Sequence, residues 1–269
     1  MVLDLNTEKD LRIFLDCKSI SVFEAIQVGD SDNGDTGVAS TVIKIFEYQE
    51  LVLIVDNLFQ VLNLNELKIV LNVGSKITIV ERNDSEVKEN LVVEQAENSI
   101  FLYQKLYSSD GKSILTVFQL GDNCVSNIQN IVLGSYINLE IDQKVIQSGN
   151  EQKVEHRTKF ILDNNSDLKV SHFGHSCIES ADCIIGQKIK GVILDSDSKV
   201  EMQPILEIDS DSSTSSHGAS VGEFDRNEIF YLHSRGLNPT QTQQILVDSF
   251  LNDLFDNIEP ICVRERWKG

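Results

Sequence analysis

Between Leu11 and Ile208 the chain is a succession of brief apolar runs: Leu11 to Leu15, Val42 to Phe46, Leu51 to Val55, Leu67 to Val73, Ile77 to Val80, Ile100 to Tyr103, Ile114 to Phe118, Ile128 to Leu133, Ile137 to Ile141, Phe160 to Leu162 and Ile189 to Leu194. They are rich in Val and Ile, lie about ten residues apart and are separated by Asn, Asp, Gly and Ser, which is the pattern of short strands joined by turns. Sandwiches, barrels and parallel β-helices all share that spacing. Tight-hairpin signals are sparse, however. The 269 residues hold only 3 prolines, and Asn33-Gly34 and Asp110-Gly111 are the clear turn pairs. Coils that keep turning the same way are therefore favoured over hairpins. No clean repeat is visible, so the coil boundaries stay unassigned.

Several stretches read as connections. Gly29 to Gly37 is rich in glycine and aspartate, but it lacks the ordered ligands and final bidentate Glu of a calcium loop and reads as a flexible loop. Asn83 to Asn90 reads as a charged turn, and Asp195 to Lys199 and Asp209 to Ser216 as polar bends at coil corners.

After residue 222 the periodicity becomes helical. Asp225 with Glu228 three residues on makes a capping-box-like start, Ile229, Phe230 and Leu232 give an apolar face, and Gly236 suits a left-handed C′ position. Asn238 and Pro239 then form a second start, and Ile245, Leu246, Val247, Phe250, Leu251, Leu254, Phe255 and Ile258 recur at three- and four-residue steps until Pro260. Two helices are expected, at about 225–235 and 239–258. The predicted organisation is a β core over 1–222 and a C-terminal helical unit over 223–269. The apolar stripe of the second helix has two compatible uses, closing the open end of a solenoid or gripping a partner.

With 23 basic and 42 acidic residues the formal charge is −19. Nucleic acid and anionic membrane surfaces both need Lys/Arg to meet their phosphates, so both are excluded as partners. No run approaches the roughly 20 apolar residues of a membrane span, and Met1 to Asn6 lacks the layout of a signal peptide, so a cytoplasmic location is expected. The 5 cysteines (Cys17, Cys124, Cys177, Cys183 and Cys262) are scattered and odd in number. Buried reduced thiols suit them better than a disulfide framework.

Pro204-Ile205-Leu206-Glu207-Ile208, then Ser216-His217-Gly218-Ala219-Ser220-Val221-Gly222, then Ile229-Phe230-Tyr231-Leu232 with Ser234-Arg235-Gly236-Leu237 form a series. It resembles the C-terminal signature of the SufB/SufD family, the scaffold components of SUF iron–sulfur cluster assembly, with Gly218 and Val221-Gly222 favouring the SufD side. The likeness is strong over about 200–258, weaker over 154–199 and carried by no motif before that. It implies a right-handed parallel β-helix and a non-enzymatic scaffold subunit that pairs with a SufB-like chain or with itself. It also implies that the C-terminal helices dock a SufC-like ATPase, with Phe230, Tyr231, Arg235, Phe250 and Leu254 as partner-facing residues. No stably bound cofactor is implied, only transient iron or an iron–sulfur cluster at a subunit interface. Two departures matter. Ser215 stands where the family usually has Cys, so no thiolate is available there, and strand-like material is expected almost from the first residue, where many SufD-like chains carry a helical domain.

His217 is the residue to single out, as an iron ligand by resemblance or as a buried imidazole satisfied by a backbone carbonyl. His172, His175, Cys177 and Cys183 form a second grouping, but H-x-x-H-x-C-x5-C is not a usual zinc pattern and such cysteines mostly pack inward. Asp195, Asp197, Asp209 and Asp211 would be the carboxylates of a polysaccharide-cleaving groove, the rival reading, although coincidence explains them in so acidic a chain. That rival also predicts aromatic sugar platforms, and Trp267 is the single tryptophan. A third reading is a β-solenoid interaction protein that has lost the cluster role. Phosphate-binding loops, G-x-G-x-x-G, H-E-x-x-H and G-x-S-x-G are all absent from the sequence.

Overall fold

The computed structural model describes residues 2–5, 23–28, 40–62 and 64–255. Sixteen strands run in chain order: β1 Val2–Leu5, β2 Phe23–Val28, β3 Ser40–Ile45, β4 Glu50–Asp56, β5 Glu66–Leu71, β6 Lys76–Asn83, β7 Val87–Gln95, β8 Ile100–Tyr107, β9 Gly111–Gln119, β10 Val125–Ser135, β11 Asn138–Gln147, β12 Lys153–Asp163, β13 Asp167–Ser176, β14 Ile184–Ile193, β15 Lys199–Ile208 and β16 Thr214–Gly222. A five-residue helix, α1 Leu58–Leu62, interrupts them, and α2 Arg226–Ser234 and α3 Pro239–Phe255 follow.

The strands alternate between two eight-stranded sheets. Sheet 1 has the order β1-β4-β6-β8-β10-β12-β14-β16 and sheet 2 the order β15-β13-β11-β9-β7-β5-β3-β2. Every pairing is parallel except β2 with β3. This is the expected solenoid, a parallel β-helix in which each coil lays one strand on each sheet. The coils differ in length along the axis. Lys76 pairs with Ile100 and Lys153 with Ile184, so one coil takes 24 residues and a later one 31. A fixed period never existed for the sequence to display.

One corner of the coil explains the Asn, Asp and Gly between apolar runs. Tyr48, Gly74, Asn98, Asn123, Glu151 and Asp182 all have positive φ. The N–H of each of the first five donates to the carbonyl just before the next, at 2.9 Å in every case (Tyr48 to Val73, Gly74 to Glu97, Asn98 to Asp122, Asn123 to Asn150, Glu151 to Ala181). Asn, Asp and Gly tolerate that left-handed backbone best, and the stacked hydrogen bonds hold the corner residues of successive coils in line.

Inward positions alternate with outward ones along each strand, as β11 shows with its strictly alternating buried residues. The inward rows stack coil upon coil: Ile43, Ile69, Val93, Val117 and Val145 are consecutive register partners in sheet 2. Where a row meets a large ring the next coil gives way. A Cβ on Gly191 would sit 2.0 Å from the Phe160 ring, so that position has room only for glycine.

Some expected connections turn out to be strands. The charged turn expected at Asn83 to Asn90 shrinks to the residues between β6 and β7, and the bend expected at Asp209 to Ser216 ends where β16 begins at Thr214. The alternating burial of β7, with Val87, Glu89, Leu91, Val93 and Gln95 buried, was masked by inward Glu and Gln. The Gly29 to Gly37 stretch and the run from Leu11 to Leu15 lie outside the described residues.

Both helix starts form as capped ends. Asp225 accepts from the Asn227 N–H at 2.8 Å rather than exchanging bonds with Glu228, and Gly236 takes φ +92°. The reciprocal pair occurs at α3, where the Gln241 N–H donates to Asn238 Oδ1 at 2.9 Å and the Asn238 N–H to Gln241 Oε1 at 3.1 Å. The α3 stripe does not close the open end of the solenoid. Leu251 and Leu254 pack instead on outward residues of sheet 1, Leu106, Ile131, Ile161 and Val192, with Val247 and Phe250 at the margin. Outward Leu and Ile on that sheet need a cover, and α3 supplies it.

Candidate functional site at the open end

Among the described residues nothing covers the last coil. β15 and β16 are terminal strands of their sheets, each with a single neighbour. Every residue of β16 is exposed, and β15 alternates between exposed and half-buried positions. The inward side of β15 (Val200, Met202, Pro204, Leu206, Ile208) is apolar, whereas that of β16 is small and polar. Ser215, His217, Ala219 and Val221 are there the register partners of buried Ile185, Gln187, Ile189 and of Gly191. Two free strand edges beside a half-covered core form a ready template for further strands.

His217 occupies the last place of an interior row. Leu53, Ile79, Tyr103, Ile128, His156, Gln187 and His217 follow one another by register through sheet 1. It is exposed and makes no hydrogen bond among the described residues, so the buried, carbonyl-satisfied imidazole is not what forms. Its neighbour in the row, Gln187, is 4% exposed, donates to the Ile205 carbonyl at 3.2 Å and leaves Oε1 without a partner. One imidazole and one amide oxygen fall short of a metal site. Among the described residues no three His, Cys, Asp or Glu side chains gather as one. A second chain would have to supply the remaining donors, the more so because Ser215 offers a hydroxyl and not a thiolate.

Behind that row the core is polar for much of its length. Lys105 is completely buried between Glu89, at 2.5 Å from either carboxylate oxygen, and Glu81 at 3.1 Å. Tyr103 donates to Glu81 at 3.2 Å and the Leu58 N–H of α1 at 3.1 Å. One lysine cannot neutralise two buried carboxylates. Burial, only partly offset by Lys105 and reinforced by Glu89, therefore pushes the Glu81 carboxyl up to about 7. Asn130 continues the file, donating to Gln143 at 2.7 Å and to Thr158 at 3.0 Å, and Thr158 meets His172 Nε2 at 2.9 Å. His156 bonds Gln143 through Nε2. Apolar periodicity was blind to this file. A signal was nevertheless present, since Glu81, Glu89, Gln95, Gln119, Gln143 and His156 sit at inward positions of otherwise alternating strands.

The other candidates disperse. His172 faces the core, His175 faces out and meets Asp209 at 3.1 Å, and Cys183 is buried with its thiol on the Gly149 carbonyl at 3.3 Å. Burial is the main cause raising the Cys124, Cys177 and Cys183 thiols above the usual range, and all three are free. Asp195 is a turn acceptor, taking the N–H groups of Asp197 and Ser198, both at 2.6 Å. Bonds from the Ser198 hydroxyl and these N–H groups hold its carboxyl down at about 2, which is unsuited to a catalytic acid.

Among the partner-facing residues, Phe230 (75% exposed) and Tyr231 (55%) stand clear on α2, a helix with no buried residue, and the Arg235 guanidinium lies 5.0 Å from the Tyr231 ring centroid. Phe250 is half-buried beneath Lys159, whose ammonium lies 4.7 Å from the ring centroid, and Leu254 is 1% exposed against sheet 1. A partner approaching α3 therefore meets its opposite face. Among the described residues no helix is long and apolar enough to cross a membrane.

A two-sheet parallel solenoid with an uncovered last coil and an exposed helix directly after it defines the class: a β-helix assembly module, with no catalytic grouping among its described residues. The family model for the SufBD core domain of SUF-system iron–sulfur cluster assembly matches residues 105–250, and the chain belongs to that family. The match begins well before the motifs that carry the sequence resemblance. The chain is similar to an iron–sulfur cluster assembly SufBD family protein of Synechocystis sp., 35% identical over 69 residues (26% of this chain, 15% of the relative). It is also similar to the iron–sulfur cluster assembly protein SufD of Escherichia coli, 45% identical over 56 residues (21% and 13%). A SufBD family protein of Methanothermobacter thermautotrophicus aligns over 184 residues at 24% identity (67% and 44%). The chain spans less than half the length of these relatives.

Proposed function

We propose that the chain is a non-catalytic, SufD-like scaffold subunit of iron–sulfur cluster assembly. It pairs through its open end with a SufB-like chain or a second copy of itself, and it holds a SufC-like ATPase through the exposed faces of its C-terminal helices. The observation that carries the reading is the uncovered coil of β15 and β16, which places His217 at a free edge immediately ahead of α2. In this reading iron or a nascent cluster is cargo, met by His217 together with donors from the paired chain. ATP hydrolysis belongs to the partner.

Ser215 favours a second reading, an interaction subunit that pairs and docks in the same way without touching iron. Co-expression with SufB-like and SufC-like partners, followed by iron and sulfide analysis of the purified complex, separates the two. The first reading expects His217→Ala to assemble normally and carry less cluster. Equal iron and sulfide in the wild-type and variant complexes would leave only the second.

A further inference from the structure

Against an overall formal charge of −19, the outer face of sheet 1 beside α3 concentrates positive charge. Arg157 and Lys159 on β12 are the register partners of Lys188 and Lys190 on β14. All four point outward, because the residues alternating with them, His156, Thr158, Gln187 and Ile189, are buried. Neighbouring strands lie about 4.8 Å apart, so both register pairs set like charge directly beside like charge, a repulsion that a bound anion relieves.

Three of the four cations already have a neighbour to lean on. Arg157 pairs with Glu155, and Lys159 donates to the Phe250 carbonyl and lies over the Phe250 ring. Lys190 lies 5.6 Å from the same ring centroid, and both Lys188 and Lys190 are exposed with no ion pair to an acid among the described residues. Together they border a basin of about 440 Å³, with Gly186, Ser216, His217 and Gly218 along one side and Glu155, held by Arg157, at its rim. The strand backbone is bare there. A Cβ added to Gly186 would meet nothing nearer than 3.8 Å, and one added to Gly218 nothing within 4 Å.

We infer that this basin binds a small, multiply charged oxyanion of the phosphate class, a diphosphate or a phosphorylated small molecule. Its oxygens lie between Arg157, Lys188 and Lys190. The guanidinium supplies paired donors and the ammonium groups point charges, and the volume is that of a small-ligand pocket. An extended polyanion is disfavoured, because beyond this square the acidic surface repels it. The basin opens on the outside of sheet 1 and shares Ser216, His217 and Gly218 with the open edge, so its binding is read on the chain by itself, where the scaffold reading makes no claim.

Isothermal titration calorimetry of the full chain with pyrophosphate at fixed ionic strength is the test, with inorganic phosphate, sulfate and a short single-stranded oligonucleotide as comparisons. Saturable one-to-one binding is expected, tighter for pyrophosphate than for phosphate or sulfate by about tenfold or more. It should weaken at least tenfold in Lys188→Gln/Lys190→Gln, a double change of exposed side chains whose folding far-UV circular dichroism verifies. Absence of saturable pyrophosphate binding, or equal affinity in the double variant, or equal affinity for sulfate, overturns the site. Tighter binding of the oligonucleotide overturns the small-ligand class.

Discussion

His156 and His172 lie face to face inside the solenoid, one from each sheet, with ring centroids 3.6 Å apart and planes 8° from parallel. Burial, with His172 adding to it, holds the His156 imidazole well below its usual range, and burial holds His172 at about 3. Both rings are fully buried, and both leave Nδ1 unpaired. The stack is thus a neutral pair packed across the core where a charge on either ring would be unsupported.

Stability should therefore fall in acid. Unfolded imidazoles take up protons near pH 6.5, whereas the folded rings resist until far lower. The stabilisation is present in full above about 6.5 and is lost as pH falls toward 3, at roughly 1.4 kcal/mol per pH unit for each histidine. Urea titrations at pH 7, 6 and 5 should show the midpoint falling in the wild type. In His156→Gln/His172→Gln the fall should be much shallower, and equal slopes would contradict the neutral stack.

Glu81 works in the opposite direction. With its carboxyl raised to about 7 from an ordinary value of 4.5, its contribution favours folding below about 4.5 and is lost as pH climbs through 7. Glu81→Gln keeps an acceptor for the Leu58 N–H and removes the charge. It should raise stability by on the order of a few kcal/mol at pH 8 and change little at pH 4. Lys105→Met strands Glu89 and Glu81 in the core and should lower stability by about 3–5 kcal/mol. Both are read from denaturant midpoints.

Surface residues of α2 should behave differently. Because that helix buries nothing, Phe230→Ala/Tyr231→Ala should change stability by no more than about 0.5 kcal/mol. It should nevertheless greatly reduce retention of a SufC-like ATPase in a pull-down. Full retention would move the docking surface elsewhere, with the outward face of α3 next in line.

The fold was legible in most strands with aliphatic inward positions, although β15, with Val200, Met202, Leu206 and Ile208 inward, was not read as one. Ile43, Leu51, Leu67, Ile77 and Ile128 all fall in strands, and the scarcity of hairpin signals agreed with parallel coils. β13 and β16 were missed because their inward residues include His172, Gly174 and Ser176 in one and Ser215, His217 and Ala219 in the other. The apolar alternation that reveals a strand is broken there, while the stacked register that imposes strand geometry is invisible in one dimension. Coils of unequal length hid the repeat for the same reason. At the site, the motif drew attention to His217 from the sequence alone. Its exposure, though, follows from being the last strand, a property of the stack and not of the local sequence. The helical stripe was legible as amphipathic, but its resting place on the outer face of sheet 1 depends on Leu106, Ile131, Ile161 and Val192, which are distant in the chain.

Pairing through the open end is what the functional account rests on, and size-exclusion chromatography with light scattering tests it most directly. Co-expressed with SufB-like and SufC-like partners, the wild-type chain should elute in a complex that contains a second scaffold chain. Val221→Lys places a charge at an exposed inward position of β16 and should leave the coil folded and the ATPase bound while the second scaffold chain is lost. A wild-type chain that elutes alone, or a Val221→Lys variant that pairs as well as the wild type, would contradict it.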